Sequence, residues 1–481
     1  MAIELPEPVA TGGATNGVTV RRGLAWSTAS NIVLRVGNLL VGIIMARIIA
    51  PEEFGVFAIA LTVWSVLGSV AEFGLGADLV RRDDYLRHLP TVATLGAVLS
   101  GGLAVAMYVG APSIAAAFGS PAATGVVQLM AIPMALIGLS VVPAALLQRS
   151  MRQGTLFAID GSSLVVSTTA TVVFALVGLG PAALALGRIA GQSLTVLLQY
   201  IAVRRWPVFG WDRTVAREAV SFGLPLAFAN VVGWSIISVD NLIVARATSP
   251  VELGLYALAF NIASWPMSVA GQSVRVIALP AFSRLETDEL RGRAMVRVSG
   301  LIWAVSAVLA VGLAFLAPQV VTVLYGERWA GAAGAVSALA AFGAFRVIFD
   351  LAATYLIACG QTRQVLIVQI LWLVALVPAM IWGVTAGGLT GAGWAHVLVA
   401  VVVVLPAYLF FLRRARVAVW GFLRAWVVPT VAGIPLAVAL WYITSTVVAP
   451  VLALLAAAAA GLLLYALPMG RWGVAKARAI G

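Results

Sequence analysis

Apolar residues fill the chain in fourteen blocks, separated by short connectors rich in Gly, Pro and charge. A helix needs about 20 mostly apolar residues to cross a bilayer. Stretches of that kind are read at 24–49, 54–80, 89–111, 124–147, 155–178, 182–203, 219–247, 253–282, 297–317, 331–358, 364–383, 389–412, 425–445 and 449–468. No period-two pattern of barrel strands appears, so helices are the spanning option that remains. The pattern predicts an all-α polytopic membrane protein of about fourteen spans.

Polar positions within the blocks recur at helical spacing. In span 1, Ser27, Asn31, Arg35 and Asn38 share a face, and in span 2 Thr62, Ser65, Ser69 and Glu72 do so. In span 7, Asn230, Ser238 and Asn241 form a stripe with Asp240 beside them, and in span 8 Asn261, Ser268, Gln272 and Arg275 form another. Such stripes mark faces turned away from lipid. A hydrated cavity lined by these four spans is the economical reading. Ser and Thr alone are better explained by hydrogen bonding between helices. Charged groups inside spans are costly and tend to mark pathways, so Arg35, Glu72, Asp240 and Arg275 are expected to face the cavity.

Other intramembrane charges have local readings. Arg346 and Asp350 are four residues apart in span 10 and are expected to pair within the helix. Arg188 heads a stripe with Gln192, Thr195 and Gln199 that faces the first lobe's interior. His396 reads as a packed residue near the outer interface.

The arrangement of charge then fixes a topology. The N-terminal tail, the even-numbered connectors and the C-terminal tail hold 23 of the 30 basic residues, and the odd connectors hold only Arg47, Arg246 and Arg328. Basic residues collect on the cytoplasmic side. Both termini are therefore expected in the cytoplasm, and the net charge of +12 records topology rather than nucleic-acid binding. Only 10% of residues are charged and the mean hydropathy is +1.05. A soluble exterior could not be built from that composition. One cysteine and two separated histidines leave no disulfide and no metal-ligand set, and the connectors are too short for a catalytic subdomain. No catalytic residue, cofactor or metal is expected.

The chain also repeats itself. Residues 44–60 align without gaps on 243–259, an offset of 199, with eight of seventeen positions identical. The shared residues include Arg47 and Arg246, Pro51 and Pro250, Glu53 and Glu252, and Gly55 and Gly254. The offset equals six spans, so two six-helix lobes of like orientation are expected, with a substrate site between them. The expected segments are a tail at 1–23, an N-lobe at 24–203, a linker at 204–218, a C-lobe at 219–412, a linker at 413–424, two added spans within 425–468 and a tail at 469–481.

These motifs carry a resemblance. The run Met45–Ala60, with Pro51, Glu53, Phe54 and Gly55, resembles the signature that follows the first helix of the polysaccharide transporter family. These are the Wzx-type oligosaccharide flippases of the multidrug/oligosaccharidyl-lipid/polysaccharide exporter superfamily. Similar stretches are Leu147–Arg152, Val239–Arg246, Leu253–Ala259, Leu279–Leu285 and Tyr325–Trp329. The nearest branch exports colanic-acid-like or teichuronic-acid-like units. The resemblance implies that an undecaprenyl-diphosphate-linked oligosaccharide is flipped from the inner to the outer leaflet of a bacterial cytoplasmic membrane by alternating access.

On that reading the partners are the lipid-linked oligosaccharide and membrane lipids, with polymerase and glycosyltransferases of the same pathway as candidate protein partners, and no nucleic acid. Arg35 and Arg275 would hold the diphosphate, because guanidinium matches phosphate bidentately. Asn31, Asn38, Asn230, Asn241, Asn261 and Gln272 would bond sugar, and Asp240 or Glu72 would bind a coupling ion. Alternatives are a lipid II flippase, a multidrug/cation antiporter, which would want an acidic cavity, and an enzyme of glycan assembly.

Overall fold

The computed structural model describes residues 37, 39–72, 74–265, 282, 287–470 and 472. The expected helical architecture is found, with no strand among the described residues. In chain order the helices are α1 (Leu39–Ile48), α2 (Pro51–Glu72), α3 (Leu75–Arg81), α4 (Tyr85–Ala117) and α5 (Ala123–Arg149). Next come α6 (Gln153–Leu176), α7 (Pro181–Val203), α8 (Arg213–Ala247) and α9 (250–265). Then follow α10 (Asp288–Leu324), α11 (Ala333–Ala358), α12 (Thr362–Val399), α13 (Leu405–Arg414), α14 (Val419–Thr446) and α15 (Pro450–Ala460).

Ten helical stretches among the described residues are long and apolar enough to cross a membrane. That count is compatible with fourteen spans. The stretch Thr362–Arg414 runs 53 residues and carries two spans, because the chain doubles back at Gly387 and Gly388. Gly388 has φ 56°, which a residue without Cβ adopts freely. Spans 1 and 8 are represented by α1 and α9, beside residues outside the described set. Span 7 is the 35-residue α8, whose first turns carry Arg213, Arg217 and Glu218.

Helices α2, α4, α5, α6 and α7 pack among themselves as the N-lobe. Helices α8, α10, α11 and α12 form the C-lobe, with α11 enclosed over 72% of its apolar window. An α-helix that is apolar all round belongs in such a core. Helices α14 and α15 pack on α10 and are buried over only 17% of theirs, which leaves them largely facing lipid. Trp303 fixes α14 to α10: its ring stacks on Trp426 at 4.6 Å and its Nε1 donates to Thr430 Oγ1 at 2.9 Å.

The start of α8 is tied to the N-lobe. Asp212 caps it, accepting from the amides of Thr214 and Val215 at 2.8 and 3.3 Å. The same carboxylate accepts from Arg87 at 2.9 Å on α4. The Arg87 hydrogen bond, then the backbone amides, hold Asp212 below the ordinary carboxylate value of 3.8. A depressed value makes the cap's contribution complete at neutral pH and lost only as pH falls below that value. Asp212→Ala is expected to speed amide exchange in the first turn of α8 severalfold, read by hydrogen–deuterium exchange at neutral pH. Unchanged exchange at Thr214 and Val215 would remove the cap from the account.

Candidate functional site

The seam between the lobes is closed at both ends, by different means. At the end away from the arginine-rich connectors, α2 and α9 cross backbone to backbone. A Cβ placed on Gly55 would lie 1.8 Å from the Pro250 carbonyl oxygen, and one on Gly254 would lie 1.9 Å from the Pro51 carbonyl oxygen. These four residues are the repeat-related pairs, so the pseudo-twofold axis passes through this crossing.

The same end is braced by Arg47, whose Nε and Nη2 donate to the carbonyls of Leu324 and Val323 at 3.1 and 2.6 Å. The Ala46 carbonyl in turn accepts from Trp329 Nε1 at 2.7 Å and from Arg328. At the arginine-rich end the closure is ionic. Arg82 reaches both Asp78, fully buried in α3, at 2.8 Å and Glu218 on α8 at 2.9 Å. Glu218 therefore helps hold α8 to the N-lobe, a link its place near a span end did not suggest.

Between these ends the polar stripes meet. Asn241 Nδ2 donates to Thr62 Oγ1 at 2.9 Å, joining α8 to α2 across the seam. Thr62, Ser65 and Ser69 each donate to a carbonyl of their own helix, at 2.8, 2.8 and 2.7 Å. Their hydroxyl hydrogens are thus satisfied within their own helix, where the sequence reading weighs a cavity against bonds between helices. Asn261 is exposed on α9. Asn31, Arg35, Asn38, Gln272, Arg275 and the Glu72 side chain lie outside the described residues.

Asp240 is 1% exposed and belongs to a buried network. Its Oδ2 accepts from the Tyr256 hydroxyl at 3.1 Å, and that oxygen lies 3.1 Å from His396 Nε2. His396 is packed, as read, against Phe260 and Phe342. It is also one of the network's polar members, which the sequence did not disclose: Tyr256 and His396 are 140 residues apart.

His396 and Asn230 also line a C-lobe cavity of about 440 Å³, together with Arg346 and Asp350. In the N-lobe the stripe on α7 turns inward. Thr195 donates to Ser163 at 2.8 Å, Gln199 accepts from Ser140 at 2.6 Å, and Arg188 lies 3.8 Å over the Trp64 ring of α2. Stacking of guanidinium on indole is a favourable cation–π contact.

Comparison with known proteins places this architecture. The succinoglycan biosynthesis transport protein ExoT of Rhizobium meliloti (strain 1021) is 26% identical over 404 residues, 82% of this chain and 81% of its own. The teichuronic acid biosynthesis protein TuaB of Bacillus subtilis (strain 168) is 24% identical over 80% of each chain. The lipid II flippase MurJ in its inward closed conformation superposes with a TM-score of 0.74 at 13% identity, over 92% of this chain and 98% of that one. An inward-facing multidrug resistance MATE family transporter of the MOP superfamily gives 0.63 at 17% identity, over 79% and 94%. The family model described as polysaccharide biosynthesis protein matches residues 44–334, which include both repeats, the Gly55–Gly254 crossing and the buried Asp240–Tyr256 pair. The chain belongs to the polysaccharide biosynthesis protein family and has the fold of the MurJ and MATE transporters.

Proposed function

We propose that this protein flips an undecaprenyl-diphosphate-linked oligosaccharide from the inner to the outer leaflet of a bacterial cytoplasmic membrane by alternating access. The observation that carries the reading is the seam itself. One end is shut by a symmetric backbone crossing and the other by ion pairs, so either end can open while the other holds. The arginine-rich end faces the cytoplasm on this reading, by the positive-inside rule. The relatives' printed names, succinoglycan and teichuronic acid biosynthesis, support a glycan as cargo.

The physical task is to carry a diphosphate and many hydroxyls through a roughly 30 Å hydrocarbon layer. Arg35 and Arg275 pair with the diphosphate in the seam, and the polar stripes, with Asn230 and Asn241, bond the sugar. The polyprenyl tail stays in lipid at the seam's edge. A coupling ion returns the empty carrier at Asp240, a buried carboxylate at the C-lobe side of the seam.

The test is reconstitution in vesicles with labelled lipid-linked glycan. Movement between leaflets with the glycan unchanged supports the flippase, and new glycosidic bonds overturn it in favour of an enzyme. Arg35→Gln and Arg275→Gln are each expected to slow flipping about tenfold, the loss of one charge-assisted phosphate contact. Near-wild-type rates at normal protein levels would remove both from the site.

A further inference from the structure

We propose that the C-lobe cavity between α8, α11 and α12 is a sugar-binding subsite that takes a ring of the glycan while the diphosphate stays in the seam. This rests on the flippase reading above. The cavity holds about 440 Å³. Small-ligand sites run from roughly 300 to 1,000 Å³. The space is large enough for a sugar ring.

Its wall joins two kinds of group. Trp234, Phe342, Phe349 and Trp372 supply aromatic surfaces. An aromatic face is electron-rich, and one face of a pyranose presents weakly positive C–H groups to it. Arg346, Asp350 and Gln369 supply planar donors and acceptors suited to adjacent hydroxyls. A hydrocarbon chain would displace water from Arg346 and Gln369 and offer them no hydrogen bond in return, at a cost for each.

Trp234 is 42% exposed, so the cavity opens outward along α8, the helix that also packs on α2 across the seam.

The experiment uses the full chain in nanodiscs and two kinds of probe: undecaprenyl diphosphate, and the same lipid bearing glucose, galactose or N-acetylglucosamine. At least one glycosylated probe is expected to bind about tenfold tighter than the bare lipid. Gln369→Ala and Trp372→Leu should each reduce that advantage to less than threefold and leave bare-lipid binding unchanged. Trp234→Leu, at the exposed margin, supplies the same comparison if Trp372→Leu fails to fold.

Equal binding of bare and glycosylated lipids by the wild type would overturn the subsite and leave the flippase intact. Failure to bind any of these lipids would overturn the flippase reading. Parallel loss of bare and glycosylated binding in the variants would mark these residues as structural and sink the proposal.

Discussion

Gly254→Val and Gly55→Val are each expected to cut leaflet-to-leaflet flipping at least a hundredfold, and by closely similar amounts. A Cβ at either position meets a backbone carbonyl oxygen at 1.8–1.9 Å. A backbone oxygen cannot rotate aside, so the helices must part. Overpacking of this kind costs roughly 1–3 kcal/mol and more where nothing yields, and each 1.4 kcal/mol is a factor of ten. The clash belongs to the closed seam and is relieved when α2 and α9 separate. The variants should therefore reach the membrane in normal amounts and collect in the state open at that end. The double variant should add little to either single one, because one parted crossing relieves both contacts. Normal flipping by Gly254→Val at normal abundance would show that the crossing is not a gate.

Much of this arrangement could be read before any coordinates, and the reason is physical. Lipid enforces long apolar helices, so hydropathy locates the spans, and α8 was legible as span 7 although its first turns carry three charges. The repeat identified Gly55 with Gly254 and Pro51 with Pro250 as equivalent. It could not say that the equivalent residues touch, because equivalence under an axis does not state the distance from that axis. The stripe on α2 was a true helical face, yet Thr62, Ser65 and Ser69 turn their hydroxyl hydrogens onto their own backbone, a local choice that spacing does not encode.

The C-lobe network was half visible. Asp240 announces itself as a charge in an apolar span. Tyr256 read as part of a stretch similar to the transporter family's and His396 as a packed ring, since their partners come from helices far apart in sequence. The one available signal was joint and incomplete: an intramembrane carboxylate must find donors, and the C-lobe spans hold one histidine but three tyrosines, Tyr256, Tyr355 and Tyr408. Arg346 and Asp350 carried a within-helix reading from their spacing. Their shared place on the wall of a cavity needed four further helices, α8, α9, α12 and α13, to come together.

Tyr256→Phe is expected to destabilise the protein by about 2–4 kcal/mol, against about 1 kcal/mol for Tyr355→Phe. Both tyrosines are fully buried, so the lost oxygen is equally desolvated in the two cases. They differ in what the oxygen serves. The Tyr355 hydroxyl donates to the carbonyl of Ala415 at 3.1 Å, and the Cys359 side chain is its other polar neighbour. A neutral hydrogen bond between helices is worth about 0.6–1 kcal/mol in this setting. The Tyr256 hydroxyl donates to the Asp240 carboxylate and accepts from His396, so its removal leaves Asp240 with only the Asn241 amide, at 2.8 Å on Oδ1, and His396 without its hydrogen bond. His396 Nε2 lies 3.7 Å from Asp240 Oδ2, too far for a hydrogen bond and close enough for attraction, so the ring can recover only part of the loss. Thermal unfolding of both variants in the same detergent reads the difference. A clearly lower Tm for Tyr256→Phe is the expected result. Equal shifts for the two would mean that Asp240 draws no stability from the tyrosine, and the C-lobe network would lose its place as the buried charge centre of this fold.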